Sequence, residues 1–213
     1  MATLKLKGTK ERIFDVAVKL FAQKGFEAVG MRSIAEEVGI QVSSLYNYFA
    51  SKEELLDMLY HYFGIHRLDN RSADHLIKEK VEKDSALEVL RALSDGTFEI
   101  KEKTTKKKAV RMSLLAKIVL MRVYSDEKAS RFFRNDWYGK DMAHLKKWLN
   151  YAIEIGRLRK TFDIETFSTF FWRQLIAMRI CVFADPNHEK KILSEEEKIY
   201  NLFSRLLPLK DPV

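Results

Sequence analysis

The sequence predicts an all-α protein of about nine helices, and three observations lead to this prediction. Apolar residues recur at i, i+3, i+4 and i+7 through most of the 213 residues, the spacing that places side chains on one face of a helix. Strand-like alternation is nearly absent, and two of the three prolines are at the extreme C-terminus. Ser-x-x-Glu pairs, typical of helix N-termini, precede several apolar runs. We expect a three-helix N-terminal domain (residues 1–50) followed by a larger helical bundle (residues 51–213).

The stretch from Met31 to Tyr48 predicts two short helices joined by a tight turn. After a first helix that begins near Thr9, the apolar residues of 31–38 fall on one face of a second helix. Gly39 can adopt the left-handed conformation that ends a helix cheaply. A third helix then follows, with Leu45 and Phe49 facing inward. This pattern is a helix-turn-helix, whose second helix can lie in the major groove of DNA.

The remaining helices are recognised by their start signals and apolar faces. A Ser51-x-x-Glu54 capping box opens a long helix whose apolar pattern continues toward Leu76. Further starts are expected at Ser85, Asp126, Asp163 and Ser194. The runs 109–123 and 167–183 are apolar on nearly every face, which is typical of helices buried inside a bundle.

The charge distribution argues against a DNA-binding domain that binds DNA through a general excess of basic residues. The formal net charge is +8, yet residues 1–60 hold eight basic and eight acidic residues. Residues 101–160 hold seventeen basic and six acidic residues, a net of +11. We therefore expect specificity to come from a few placed side chains, with the module's acidic residues facing away from the DNA.

Other classes of protein find little support. There is no apolar stretch of roughly 18 residues and no N-terminal apolar run, which predicts a soluble cytoplasmic protein without a membrane segment. The lone Cys181 has no partner for an internal disulfide. The five histidines show no metal-ligand spacing, and no Gly-rich phosphate loop or nucleophile elbow occurs. We expect no enzyme activity, no metal and no cofactor.

The first 60 residues resemble the N-terminal domain of the tetracycline-repressor (TetR) family of bacterial transcription regulators. The matching segments are Phe21 with Gly25-Phe26, Arg32 with Ile34-Ala35, residues 38–40, and the run from Leu45 to Leu55. The resemblance departs from the family's common residues at Gly30, Gln41 and Val42. It covers about a quarter of the chain and implies a palindromic DNA operator, a small-molecule effector and a homodimer. Repression is the commoner mode of control in the family and is the expected one here.

The resemblance also implies which residues meet DNA. Tyr46, Tyr48 and Lys52 would contact the phosphate backbone. Base edges or nearby phosphates would be met by a second set: Arg32, Gln41, Val42, Ser43, Ser44 and Asn47. The chemistry agrees, because Gln and Asn can pair with adenine through two hydrogen bonds and Val can contact the methyl group of thymine. An alternative reading places Tyr46 and Tyr48 partly in the core.

Dimerisation and effector binding are expected in the bundle. A nearly all-apolar helix followed by one with a clear apolar stripe could form half of an intersubunit four-helix bundle. Its candidate residues are Phe170, Gln174, Met178, Cys181, Ile199, Leu202, Phe203 and Leu206. A two-fold dimer would hold its recognition helices about 34 Å apart. The resemblance implies an apolar or amphipathic effector that tilts the fourth helix, with candidate pocket residues Tyr62, Met112, Trp137, Trp148, Phe167 and Phe171, although such residues are often ordinary core.

Two further interpretations of the basic bundle stay open. The protein could be a DNA-binding regulator without a small-molecule ligand, controlled by a protein partner or binding DNA broadly through that bundle. The lysines at 101, 103, 106, 107 and 108 motivate this alternative, although such a run is more often a solvated loop or helix end. The same charge could also serve an effector with an anionic head group.

Overall fold

The computed structural model describes residues 6–69, 74–94, 106–185 and 189–210. Within these ranges the chain forms eleven α-helices, one π-helical segment and no β-strand. The helices are α1 (Gly8–Lys24), α2 (Met31–Val38), α3 (Val42–Tyr46), α4 (Lys52–Asp69), α5 (Asp74–Lys83), α6 (Ala86–Ser94), α7 (Lys106–Arg122), α8 (Glu127–Arg131), α9 (Gly139–Glu154), α10 (Ile164–Ala184) and α11 (Glu189–Leu206), with the π-helical segment Phe132–Tyr138 between α8 and α9. The all-α prediction is confirmed.

Contacts divide the chain into two compact units. The N-terminal unit comprises residues 1–69 and 100–136, and the C-terminal unit comprises residues 70–99 and 137–213. Helices α7 and α8 therefore belong with α1 to α4, although almost forty residues separate α4 from α7 in sequence. The boundary expected at residue 50 separates the helix-turn-helix from the rest of the chain, and as a functional division it stays a prediction.

The predicted helix starts mostly agree with the observed caps. The Ser51 hydroxyl accepts the Glu54 N–H at 3.0 Å, and the Asp126 and Asp163 carboxylates accept N–H groups of Ala129 and Thr166 at 2.9 and 3.0 Å. The start expected at Ser194 is wrong, because α11 already begins at Glu189. A Ser-x-x-Glu pair also fits the exposed face of a helix interior, and Ser194 is exposed there.

One long helix differs from its predicted extent, and another is described only in part. The pattern that continued toward Leu76 is described as α4 up to Asp69 and as α5 from Asp74, and residues 70–73 lie outside the described ranges. The helix expected from Asp126 to Gly156 becomes α8, the π-helical segment and α9, which accounts for much of the difference from about nine helices. Apolar periodicity does not distinguish an α-helical from a π-helical turn, so this division has no signal in the sequence.

The core of the N-terminal unit is apolar and tightly packed. Fully buried side chains come from α1, α2, α3, α4 and α7, and include Phe14, Ile34, Leu45, Leu59 and Val119. Burial of a side chain of this size stabilises a fold by about 1.5–3 kcal/mol. This core positions the short α3, whose five residues could not form a stable helix alone.

The C-terminal unit has its own core. It joins residues of α5, α6, α9, α10 and α11, and its aromatic members include Trp148, Phe167, Phe171 and Phe203. Arg157 is buried beneath it and donates hydrogen bonds to the carbonyls of Val81, Asp84 and Lys210 at 2.6–2.9 Å. A guanidinium can satisfy three carbonyls in this way because it carries five N–H donors.

Candidate nucleic-acid interface

The turn between α2 and α3 has the geometry that the sequence predicted. Gly39 lies in the left-handed region with φ 78° and ψ 40°, and its N–H bonds the carbonyl of Ala35 at 2.9 Å. The Ile40 N–H also reaches Ala35 O, at 3.0 Å. Arg12 of α1 donates to the carbonyl of Val38 at 2.8 Å, which holds the last turn of α2. The angle between α2 and α3 therefore depends on a local cap and on a contact from α1.

The start of α2 is capped without a Ser or Thr at its N-cap. Gly30 occupies that position, and the Ser33 hydroxyl accepts the Gly30 N–H at 3.2 Å and donates to the Gly30 carbonyl at 2.8 Å. Ser33 therefore supplies part of the capping that the glycine cannot, which explains why Gly30 is tolerated.

Helix α3 presents its polar and aromatic side chains to solvent. Leu45 is buried, whereas Tyr46 and Tyr48 are 49% and 39% exposed. The tyrosines therefore do not belong to the core, and their phenol groups are accessible to a partner. The other candidates for base contact are exposed or half-buried: Arg32, Gln41, Ser43 and Asn47 are exposed, and Val42 and Ser44 are half-buried.

Lys52 is the first residue of α4, and its side chain already contacts Phe26. Its Nζ donates to the carbonyl of Phe26 at 3.1 Å and lies 4.1 Å from the centre of the Phe26 ring. An ammonium has three donors, so the remaining N–H groups can still meet a phosphate. The contact with Phe26 holds the Lys52 side chain in place but also makes it part of the fold.

Four of the module's eight acidic residues pair with bases of α7 and α8. Glu11 and Asp15 contact Lys107 and Arg111 at 2.6–3.0 Å. Glu27 pairs with Arg122, and Asp57 pairs with Lys128. Hydrogen bonds from Arg111 and then Lys107 lower the pKa of the Glu11 carboxyl. Part of the basic excess therefore neutralises these four acidic residues. Lys101 and Lys103 lie outside the described residues, so the role expected for them stays a prediction.

Arg111 and Arg122 are structural residues that the sequence analysis missed. Both lie on α7 with only 9% and 13% of the side chain exposed. Arg111 also donates to the Tyr62 hydroxyl at 2.8 Å, and the Arg122 guanidinium lies 4.2 Å from the Phe26 ring. The available signal was an arginine inside an otherwise apolar helix, which requires an acidic partner when it is buried.

The predicted pocket residues are divided between the two units. Tyr62 and Met112 lie in the N-terminal unit, whereas Trp137, Trp148, Phe167 and Phe171 lie in the C-terminal unit and are buried. Tyr62 is buried and bonded to Arg111. Tyr62 thus packs in the core of the N-terminal unit, and its role as a pocket residue stays a prediction.

The predicted dimer residues fall into two groups. Phe170, Leu202 and Leu206 are 54–56% exposed, and Gln174 and Cys181 are also exposed. Met178 and Phe203 are buried, and Ile199 is half-buried. Met178 and Phe203 therefore pack mainly within their own unit, and their part in a dimer interface stays a prediction. Helical spacing alone did not separate the two faces of helices that are largely apolar.

A hollow of about 450 Å³ lies between the start of α10 and the end of α11. Its apolar lining includes Phe162, Phe167, Phe170, Phe203 and Leu206. Arg159 and three short polar side chains complete the wall. The hollow is continuous with the exposed apolar residues of the predicted dimer face. In the described parts of the chain, no helix is long and apolar enough to span a membrane.

Two short helices joined by a glycine-ended turn, the second of them exposed, have the arrangement of a helix-turn-helix, whose second helix can lie in the major groove of DNA. Residues 13–59 match the family model described as bacterial regulatory proteins, tetR family. This N-terminal segment is therefore similar to the DNA-binding segment of TetR-family regulators.

Similar proteins agree with this assignment. The transcriptional repressor KstR2 of Rhodococcus jostii (strain RHA1) is 42% identical over 50 residues, 24% of each chain. The match thus spans about a quarter of that relative's length. The ketosteroid transcriptional regulator KstR2 of Mycobacterium tuberculosis has a similar fold, with a TM-score of 0.67 at 21% identity over 97% of this chain and 98% of that one. The fold is also similar to that of a transcriptional regulator of Saccharomonospora viridis in complex with choline. The TM-score is 0.67 at 17% identity, over 94% of this chain and 97% of that one.

Proposed function

We propose that this protein is a transcriptional repressor that binds a palindromic operator as a homodimer and is released by a small molecule. The observation that carries the proposal is the outward face of α3, where Tyr46 and Tyr48 stand exposed beside Gln41, Ser43 and Asn47. Tyrosine hydroxyls suit phosphate oxygens, while Gln and Asn suit adenine. The family match over residues 13–59 supports the same function.

The decisive test is a binding-site selection from random duplex DNA with the purified full-length protein. A palindrome with half-sites about one helical turn apart is the expected result. Tyr46→Ala should weaken binding to that palindrome about tenfold without changing thermal stability, because the ring is half exposed. Lys52→Ala is less suitable, since it also removes the contact with Phe26. Selection of no sequence would overturn the proposal and favour broad binding.

Dimerisation through α10 and α11 is supported by their exposed apolar side chains. Phe170, Leu202 and Leu206 form an apolar surface of a kind that marks interaction sites on soluble proteins. Leu202→Glu should convert a dimer into a monomer in sedimentation velocity. Leu76→Glu, on α5 and also exposed at 46%, is the matched control and should leave the dimer intact. A Leu202→Glu dimer would refute this interface.

An apolar or amphipathic effector is supported by the core of the C-terminal unit. Trp148, Phe167 and Phe171 share that core. Within the described residues, Trp148 Nε1 and Ser168 Oγ are buried and have no hydrogen-bond partner. A buried polar atom without a partner costs about 1–3 kcal/mol, and a ligand oxygen could relieve that cost. The similar regulators named for ketosteroids and bound to choline suggest which compound classes to screen first.

The effector can be tested by screening steroid, acyl and quaternary ammonium compounds for a rise in Tm. A true effector should also release the selected operator. Trp148→Phe, which keeps the aromatic ring but removes Nε1, should weaken the Tm response to that effector. An unchanged response would exclude Trp148 as a ligand contact.

A regulator that binds DNA broadly through its basic bundle is less well supported. Lys107, Arg111, Arg122 and Lys128 of that region are paired with carboxylates of the same unit. A regulator controlled by a protein partner stays the alternative, and it would select an operator but give no Tm response to any compound.

A further inference from the structure

Arg32 and Glu36 form an ion pair on the exposed face of α2. Arg32 Nε donates to Glu36 Oε1 at 3.1 Å, one helical turn apart. The two side chains are 84% and 65% exposed. Exposed pairs of this kind contribute little to stability, about 0.3–0.5 kcal/mol, so a structural role does not explain this one well.

The geometry of the pair leaves one edge of the guanidinium free. Glu36 accepts a hydrogen bond from Nε of Arg32. Nη1 and Nη2 of Arg32 have no hydrogen-bond partner within the described part of the chain. Those two nitrogens carry parallel N–H groups at the end of the side chain. Their spacing matches two acceptors that lie side by side, such as O6 and N7 of guanine in the major groove.

The charge of Glu36 favours base contact over phosphate contact. A carboxylate 3.1 Å from Nε offsets much of the arginine charge and repels nearby phosphates. A phosphate contact depends mainly on that net charge. A guanine contact depends instead on the direction of two hydrogen bonds, and an arginine fixed at Nε presents them in one orientation.

We propose that Glu36 is a positioning residue that holds Arg32 for reading a guanine in each half-site. The inference rests on the proposed function, because it needs an operator. It adds that an acidic residue in the DNA-binding module contributes to sequence specificity. Neutralising Glu36 should therefore make binding less selective while raising affinity for DNA in general.

The test is a parallel selection from one random duplex library with three proteins. They are the wild type, Glu36→Gln and Glu37→Gln. Glu37 is the matched control, since it is the next residue of α2, is also exposed and loses the same charge, but it pairs with Lys19 of α1 at 3.3 Å. We expect Glu36→Gln to lose about tenfold in preference for guanine at one position of each half-site, and Glu37→Gln to select the wild-type sequence.

A second measurement identifies the contact atom. Replacing that guanine by 7-deazaguanine removes the N7 acceptor and should weaken wild-type binding about tenfold, with little further loss in Arg32→Ala, which has no side-chain donor. Binding of Glu36→Gln to unrelated duplex DNA should increase and fall more steeply with salt than that of the wild type.

The outcomes separate this inference from the proposed function. If the wild type selects no sequence, the proposed function itself fails. If the wild type selects a palindrome and Glu36→Gln selects it with the same guanine preference, the positioning role of Glu36 is refuted. Equal loss of preference in Glu36→Gln and Glu37→Gln would also refute it, because the effect would then follow from helix charge alone.

Discussion

Replacing Arg111 by methionine tests whether α7 holds the first helix of the DNA-binding module through charge. Arg111 Nη2 contacts Glu11 at 2.8 Å and Asp15 at 2.6 Å, and Nη1 donates to the Tyr62 hydroxyl at 2.8 Å. The guanidinium carbon of Arg111 lies over the rings of Phe14 and Tyr62, 5.5 and 5.2 Å from their centres. Methionine fills much of the same volume and provides none of these hydrogen bonds.

The loss of stability expected for Arg111→Met depends on how well water can hydrate the partners that lose the guanidinium. Removing one partner of a fully buried pair costs about 3–5 kcal/mol. Glu11 and Asp15 are 30% and 29% exposed, so water can hydrate their carboxylates in the variant. Tyr62 is buried and its hydroxyl loses a donor, which costs about 1–3 kcal/mol. We expect a loss of about 2–3 kcal/mol in the free energy of unfolding.

Lys107→Met provides the matched control for Arg111→Met. Lys107 contacts the same two carboxylates at 3.0 and 2.9 Å, but 64% of its side chain is exposed. Its removal should cost less than about 1 kcal/mol, as for other exposed pairs. Urea denaturation monitored by circular dichroism measures both variants. Equal losses in the two variants would refute the argument that burial of Arg111 makes its contacts valuable.

The pH dependence of the same cluster has a definite sign. Because hydrogen bonds from Arg111 and Lys107 lower the pKa of Glu11 from its usual 4.5, the folded state binds this proton less readily than the unfolded state. The resulting stabilisation is present above the unfolded pKa and is lost as pH falls through the lower folded pKa. Arg111→Met should therefore show less loss of stability below about pH 4.5 than the wild type.

Two further predictions concern the backbone and the C-terminal unit. Gly39→Ala should lower the free energy of unfolding by about 1–2 kcal/mol, since φ is 78° there and a Cβ is unfavourable in that region; an unchanged stability in urea denaturation would contradict the cap geometry. Arg157→Met should cost about 3 kcal/mol, because the buried Val81 carbonyl and the partly buried carbonyls of Asp84 and Lys210 lose their donor; tryptophan fluorescence follows this loss through Trp148 of the same unit, and a stable variant would show that water replaces the guanidinium.

Much of the DNA-binding segment could be predicted because its signals are local. The end of α2 follows from Gly39, the start of α4 follows from Ser51 and Glu54, and the inward position of Leu45 follows from helical spacing. Each of these signals involves residues within about one helical turn of one another. Neighbours in sequence are then necessarily neighbours in space, so little depends on the remainder of the fold.

The sequence by itself thus determined the all-α class, the helix-turn-helix and the set of side chains available to DNA. The tertiary structure decided which acidic residue meets Arg111, a hundred residues away from Glu11, and placed α7 with the N-terminal unit. It also decided that Phe203 faces inward while Leu202 faces outward. The physical reason is that helical periodicity shows which residues share a face, whereas the neighbour that covers each face depends on contacts between segments far apart in the chain.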